Sequence, residues 1–214
     1  MKKLLLVLSV IILGISCTKL SSNSAGNSGP LLWPLKAGDS WVYQDSLFNN
    51  TSFDSTYRDT ATINTQTETD QYGTVYYGIT EPNGWFGTGS FVAVDPYNTT
   101  IYETDSLSNS PYIFFQTVQQ DGQFIGSGYD FSNPACAKQS SQYGLATPTN
   151  VNGYSCLENI EYTVDCNNIT QEAVVTYISP GVGVVRMEDY AADSTRNNAL
   201  FLDYSQTLQS QKIN

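Results

Sequence analysis

Beyond its apolar N-terminal run, this chain never repeats hydrophobic residues at helical spacing over three turns, whereas period-two runs bounded by turn residues recur along its length. That alternation is the strongest constraint on its fold. In SWVYQDS, Trp41, Tyr43 and Asp45 alternate with Val42 and Gln44. Segments 60–68 and 74–80 flank Asp70-Gln71-Tyr72-Gly73, a hairpin loop by its residues, and Asn83-Gly84 suits a type I′ turn. Further strands are predicted at 91–94, 100–104, 112–118 and 123–131. Segment 132–153, rich in Ser, Gln, Asn, Thr and Pro and without a clear period, reads as a long surface excursion. Four strands follow near 155–165, 170–178, 183–190 and 199–206, with connections short enough to force antiparallel pairing in sequence. The prediction is an all-β protein of hairpins ending in a four-stranded meander.

The first thirty residues speak to location. Lys2 and Lys3 precede an apolar run, 4–15, too short for a stable bilayer-crossing helix, which needs about 20 residues. Ser16 and Cys17 end that run, and the polar segment TKLSSNSAGNSG follows. This arrangement resembles the lipobox of bacterial lipoproteins, although Gly14 stands where that family prefers Leu. The resemblance implies that residues 1–16 are removed and that Cys17 becomes the acylated first residue. Several acyl chains are needed for stable attachment, since one holds a protein only marginally. Residues 17–30 have too little apolar surface to offset their ordering entropy and read as a flexible tether. A single domain is expected over 31–214.

Without residues 1–16 the chain keeps 7 basic and 20 acidic side chains, a net charge of −13. Such a body is repelled by nucleic acid, which excludes a basic-groove function. There is no histidine. Ser-His-Asp and Cys-His arrangements, histidine zinc sites and HExxH are thereby excluded, and no metal or cofactor is expected. Cys156 and Cys166 fall in one alternating run, YSCLENIEYTVDC, which at about 3.3 Å per residue holds them roughly 33 Å apart. They cannot bond to each other, so any bridge involves Cys136. Cys136 with Cys156 is the favoured pair; Cys166 is then a buried thiol, and a chain with no disulfide stays open.

PLKAGDSWVY (34–43) and YISPGVGVVRMEDY (177–190) resemble the opening and late motifs of a family of secreted Bacteroidota-type lipoproteins without an agreed activity. The resemblance implies a curved antiparallel sheet, in some members similar to the open half-barrels of periplasmic lipoprotein carriers, and an outer-membrane location. Physically, Gly38 turns the chain into a strand, Trp41 and Tyr43 pack inward, and Pro180-Gly181 fits a type II turn. Arg186 has Glu172 or Glu188 as partners across the sheet, and Trp33 is placed as a lid over one end of the core.

Paired carboxylates are the remaining catalytic resource. Glu158 and Glu161, however, lie on opposite faces of one strand, and strand acids ordinarily face water. In GWFGTG, Trp85 and Phe86 follow a tight turn, where a ring can stack on a sugar or an apolar ligand, the competing reading being core. Asp-Ser/Thr followed by Ala, Leu or Thr recurs at Ser46, Ser55, Thr60, Ser106 and Ser194. The pattern resembles the O-glycosylation acceptor of Bacteroidota-type envelope proteins; the alternative is turn formation. The sequence thus points to a lipid-anchored envelope protein binding a glycan or apolar ligand without catalysis. The alternatives are a structural assembly component and a carboxylate-dependent glycoside hydrolase. Oligomeric state is left open.

Overall fold

The computed structural model describes residues 30–49, 52–105, 111–130, 136–193 and 196–214. Its strands are β1 (Ser40–Asn49), β2 (Ser52–Thr69), β3 (Val75–Glu81), β4 (Gly87–Val94), β5 (Thr100–Thr104), β6 (Tyr112–Gln116), β7 (Gln123–Asp130), β8 (Lys138–Val151), β9 (Tyr154–Val164), β10 (Thr170–Ser179), β11 (Gly183–Asp193) and β12 (Ala199–Lys212). They form one antiparallel sheet in the order β6-β5-β4-β3-β2-β1-β12-β11-β10-β9-β8-β7. Taken as a ring, that order is the sequence order. Each strand lies beside its chain neighbours, β12 pairs with β1, and only the β6–β7 pairing is missing.

The chain passes from β6 to β7 through residues 117–122. So short a link reaches roughly 25 Å at most, whereas the edges of a flat twelve-stranded sheet would lie roughly 53 Å apart. The sheet must therefore curl until its edges meet. The result is a nearly closed barrel with a seam between β6 and β7.

The two motif segments hold each other. The N-terminal strap crosses one end of the barrel, where Asn98 Nδ2 donates to the Pro30 carbonyl and Gly181 N–H donates to the Leu31 carbonyl. Trp33 then turns inward and is buried, its ring 5.5 Å from those of both Trp41 and Phe86. Trp41 Nε1 donates to the Val182 carbonyl and Tyr43 Oη to that of Val184. Gly183, at φ +97°, leaves room for the Trp33 indole, which would occupy the position of a Cβ. Pro180-Gly181 forms the expected turn, with Gly181 at φ +84° and Val182 N–H bonded to the Ser179 carbonyl. Trp33 is thus a plug inside the barrel rather than a lid. From the other end the β3–β4 turn pushes Phe86 in to meet it, and Ile63, Ile79, Ile101, Ile178 and Met187 fill the space around them.

Three expectations are corrected. Segment 132–153 is not an excursion: β8 is a fourteen-residue strand paired on both sides. Its polar composition misleads because one of its faces looks into a polar cleft and the other to water. Asn83-Gly84 does not form a type I′ turn, as neither residue has a positive φ; the nearest positive values fall at Gly87 and Gly89, in β4. The disulfide joins Cys136 to Cys166, not Cys136 to Cys156. Register explains the pairing. Gln139 lies opposite Val164, so Cys136 meets Cys166 just beyond the strand ends, while Cys156 is opposite Thr149, thirteen residues further along. Cys156 is instead the buried thiol. Arg186 pairs with Glu188 of its own strand, at 2.5 Å.

The bridge closes a loop of sequence separation 30. Replacing Cys136 and Cys166 by Ser is expected to lower the unfolding free energy by about 3 kcal/mol in urea titrations. A non-reducing peptide map should link 136 to 166 and find Cys156 alkylated only after unfolding.

Candidate functional site

A sheet edge carries unpaired backbone groups, and two edges meet at the seam. Towards the strap end the β6 edge is tied by side chains to β8 and β9. Asn159 Oδ1 accepts from Gln116 N–H at 2.8 Å while its Nδ2 donates back to the Gln116 carbonyl at 3.0 Å. Gln142 Nε2 donates to the Phe114 carbonyl at 3.1 Å. Val118, in the crossover, packs where a Cβ on Gly144 would stand. Asp121 fastens the crossover to the strand beyond, accepting from the N–H groups of Ala146 and Thr147 and from the Thr147 hydroxyl.

Away from the strap the seam stays open. A cleft of about 340 Å³ separates Tyr112 and Ile113 of β6 from Gly126, Ser127 and Gly128 of β7, with Ser140, Gln142 and Glu161 at its base. It continues inward to a cavity of about 30 Å³ bounded by Trp85, Phe114, Asn159, Val174 and Thr176. Cross-strand register puts further polar groups on this concave face: Ser140 pairs with Thr163, Gln142 with Glu161, Thr163 with Glu172, and Val174 with both Glu161 and Asp189. Burial, then the charge of Glu172, holds Asp189 above the usual carboxylate range at about 6, and burial raises Glu161 too. Asp189 Oδ1 is buried without a hydrogen-bond partner.

Where the cleft meets the inner cavity, the Tyr112 hydroxyl donates to Glu103, and Trp85 lines the cavity beside it. Burial and Glu103 push the Tyr112 hydroxyl far up, so it remains a donor. The loop bearing Trp85 hangs on Glu81. One carboxylate oxygen accepts from Phe86 N–H and the other from Gln206 Nε2. Gly84 is required because the Glu81 side chain occupies the place of its Cβ. Glu81 is fully buried beside Asp45 and Asp59, and burial, reinforced by those two charges, pushes its carboxyl up to about 7.

Of the two rings singled out in the sequence, Trp85 is half-buried at the cleft, while Phe86 lies in the core against Trp33 and Phe114 and cannot stack on a ligand. Glu158 and Glu161 do occupy opposite faces of β9; only Glu161 borders the cleft. Ser46 is half-buried on β1, and Ser55 and Thr60 are exposed on β2. Cys17, Ser106 and Ser194 lie outside the described residues. Tyr112, Gln142, Ser140 and Asp189 carried no distinct signal. The alternation of Ser140, Gln142 and Gly144 is visible in the sequence, but it reads as an interior face only once the interior is known to be polar.

No protein-family model matches the chain, and no curated protein matches it. Solved structures do. One is described as a "putative exported protein" with a YmcC-like fold from Bacteroides fragilis: TM-score 0.50, 11% identity, covering 86% of this chain and 100% of that one. Another is a "putative lipoprotein" from Parabacteroides distasonis, with TM-score 0.49 and 16% identity over 86% of this chain and 99% of that one. At such identities the likeness is one of fold.

Glu81 gives the fold a signed pH dependence. Burial pushes its carboxyl up to about 7 in the folded protein against the ordinary 4.5, so its contribution is fully present below pH 4.5, is lost as pH rises to about 7, and then levels off. The change amounts to about 3 kcal/mol. Thermal midpoints should fall from pH 4.5 to 8, and Glu81→Gln should flatten that fall.

Proposed function

We propose that this protein is a lipoprotein of the cell envelope, anchored through acylated Cys17, that binds a glycan in the open half of the seam without chemically altering it. The observation carrying the reading is the convergence of Tyr112, Gln142, Ser140 and Glu161 around one cleft, with Trp85 at the small cavity beneath it, in a barrel whose interior is otherwise filled by side chains. Sugars present apolar ring faces bordered by hydroxyls. They are recognised by aromatic rings together with fixed amide, hydroxyl and carboxylate groups, in clefts of roughly 300 Å³ and above. An apolar ligand is less well served. The lining carries a carboxylate and the polar side chains of Ser127, Ser140 and Gln142, and Trp33, Phe86 and Phe114 fill the barrel axis that a lipid carrier would keep open. The N-terminal pattern supports the envelope location, and the fold likeness to a protein described as exported agrees with it.

Two measurements test the two halves. In the native host, Cys17→Ala should move the protein from the membrane to the soluble fraction; retention in the membrane would remove the anchor. On a glycan array, purified protein should retain a defined set of saccharides, and Glu161→Gln and Trp85→Ala should weaken retention about tenfold or more. Because Glu161 borders an open cleft, Glu161→Gln separates lost binding from lost folding. An array without hits, or a Glu161→Gln protein that binds like its parent, would defeat the glycan reading. Appearance of new reducing ends in a retained saccharide would replace binding by hydrolysis, with Glu161 and Asp189 the first acids to substitute.

A further inference from the structure

The strap end of the barrel carries a second cleft, remote from the seam opening and different in chemistry. About 440 Å³ in volume, it lies between the strap and the β2–β3 and β4–β5 loops, and Leu31, Leu35, Val75, Tyr77, Val94 and Pro96 supply most of its wall. Its rim is unusually apolar for so acidic a protein. Tyr72, at the tip of the β2–β3 loop, is 85% exposed, and Tyr97, at the tip of the β4–β5 loop, is 77% exposed; Leu31 and Val75 are 56% and 42% exposed.

The acids at the base of both loops are turned inward. Asp70 Oδ1 accepts from the N–H groups of Tyr72 and Thr74. Asp95 accepts from those of Tyr97, Thr99 and Thr100 and from the Thr99 hydroxyl. Each carboxylate is thus spent on holding its loop rigid, with the tyrosine ring left outermost. A phenol on a rigid tip, apolar in body and polar at its end, suits the boundary between headgroups and acyl chains.

What covers this face follows from where the chain enters. Pro30 leads directly to Leu31 on the cleft wall, and both are fixed there, through Asn98 and Gly181. Only residues 18–29 separate Pro30 from Cys17. We propose that the strap end is a lipid-facing surface: Tyr72 and Tyr97 sit at headgroup level, and the cleft between them accepts acyl-chain segments of an uncharged bilayer. The direction of this face rests on the anchor reading above; its affinity for lipid does not. The β3–β4 turn and the open half of the seam lie at the opposite end of the strands, so the glycan cleft is held away from the bilayer.

The test removes the anchor. The mature chain from residue 17, with Cys17→Ser so that nothing is acylated, is floated with phosphatidylcholine vesicles. It should partition measurably, and replacing part of the phosphatidylcholine by phosphatidylglycerol should weaken partition, because the chain is strongly acidic. Tyr72→Ser with Tyr97→Ser, and separately Val75→Asp, should each lower partition about tenfold. Trp85→Ala, in the seam, should leave it unchanged. All these positions except Trp85 are exposed loop or rim residues, and unaltered thermal midpoints will show that folding is intact. Absence of partition by the parent chain, or equal partition by the tyrosine double variant, overturns the proposal. Cell fractionation of Cys17→Ala tests the anchor independently, so either idea can fail alone.

Discussion

The Asn159 amide, accepting from the Gln116 N–H and donating to the Gln116 carbonyl, does the work of a strand pairing where no strand pairing exists. Every other junction in the ring is a backbone ladder. At the seam, backbone groups of the β6 edge that would otherwise be left unpaired are bound by Asn159 of β9 and Gln142 of β8, and a side-chain amide can do this because it offers a donor and an acceptor at one carbon. The contact is also local. It closes the strap half of the seam and leaves the other half apart, so the feature that completes the barrel also creates its cleft.

Closure and packing are coupled. A barrel of twelve strands is wide, and its axis must be filled or left as a cavity. Here it is filled from both ends: by Trp33 on the strap, and by Phe86 on a turn that Glu81 holds by its backbone. The two sequence motifs are halves of one clasp, Trp41 and Tyr43 donating to carbonyls of the Pro180–Val184 segment that Trp33 also covers. Displacing the 180–184 segment would leave the Trp41 indole and the Tyr43 phenol buried without acceptors, a cost of about 1 to 3 kcal/mol each.

The buried acids follow from the same geometry. Glu81 is retained, despite a carboxyl that burial pushes up to about 7, because its two oxygens serve a loop amide and a strand amide that apolar residues cannot serve. Asp70 and Asp95 play the equivalent part at the strap end, each accepting from N–H groups of its own loop. Besides exposed acids such as Asp54 and Asp203, this chain carries acids spent on loop amides, buried in the core, and lining the cleft. Only the last is placed to meet a ligand.

Much was legible in the chain. Alternation and turn residues placed the four strands of the C-terminal meander and their starts to within a residue, since a half-buried strand must alternate, although β11 and β12 run on to Asp193 and Lys212. The excluded pairing of Cys156 with Cys166 followed from strand length alone. What the sequence could not convey was which strands meet when a sheet curls. Cys136 finds Cys166 because β8 runs beside β9 in one register, and β8 itself escaped notice because it faces a polar cleft on one side and water on the other. Local pattern reports whether a residue is covered. It does not report by what, and the seam, the clasp and the cleft are all made of residues far apart in the chain, brought together only by closure of the sheet.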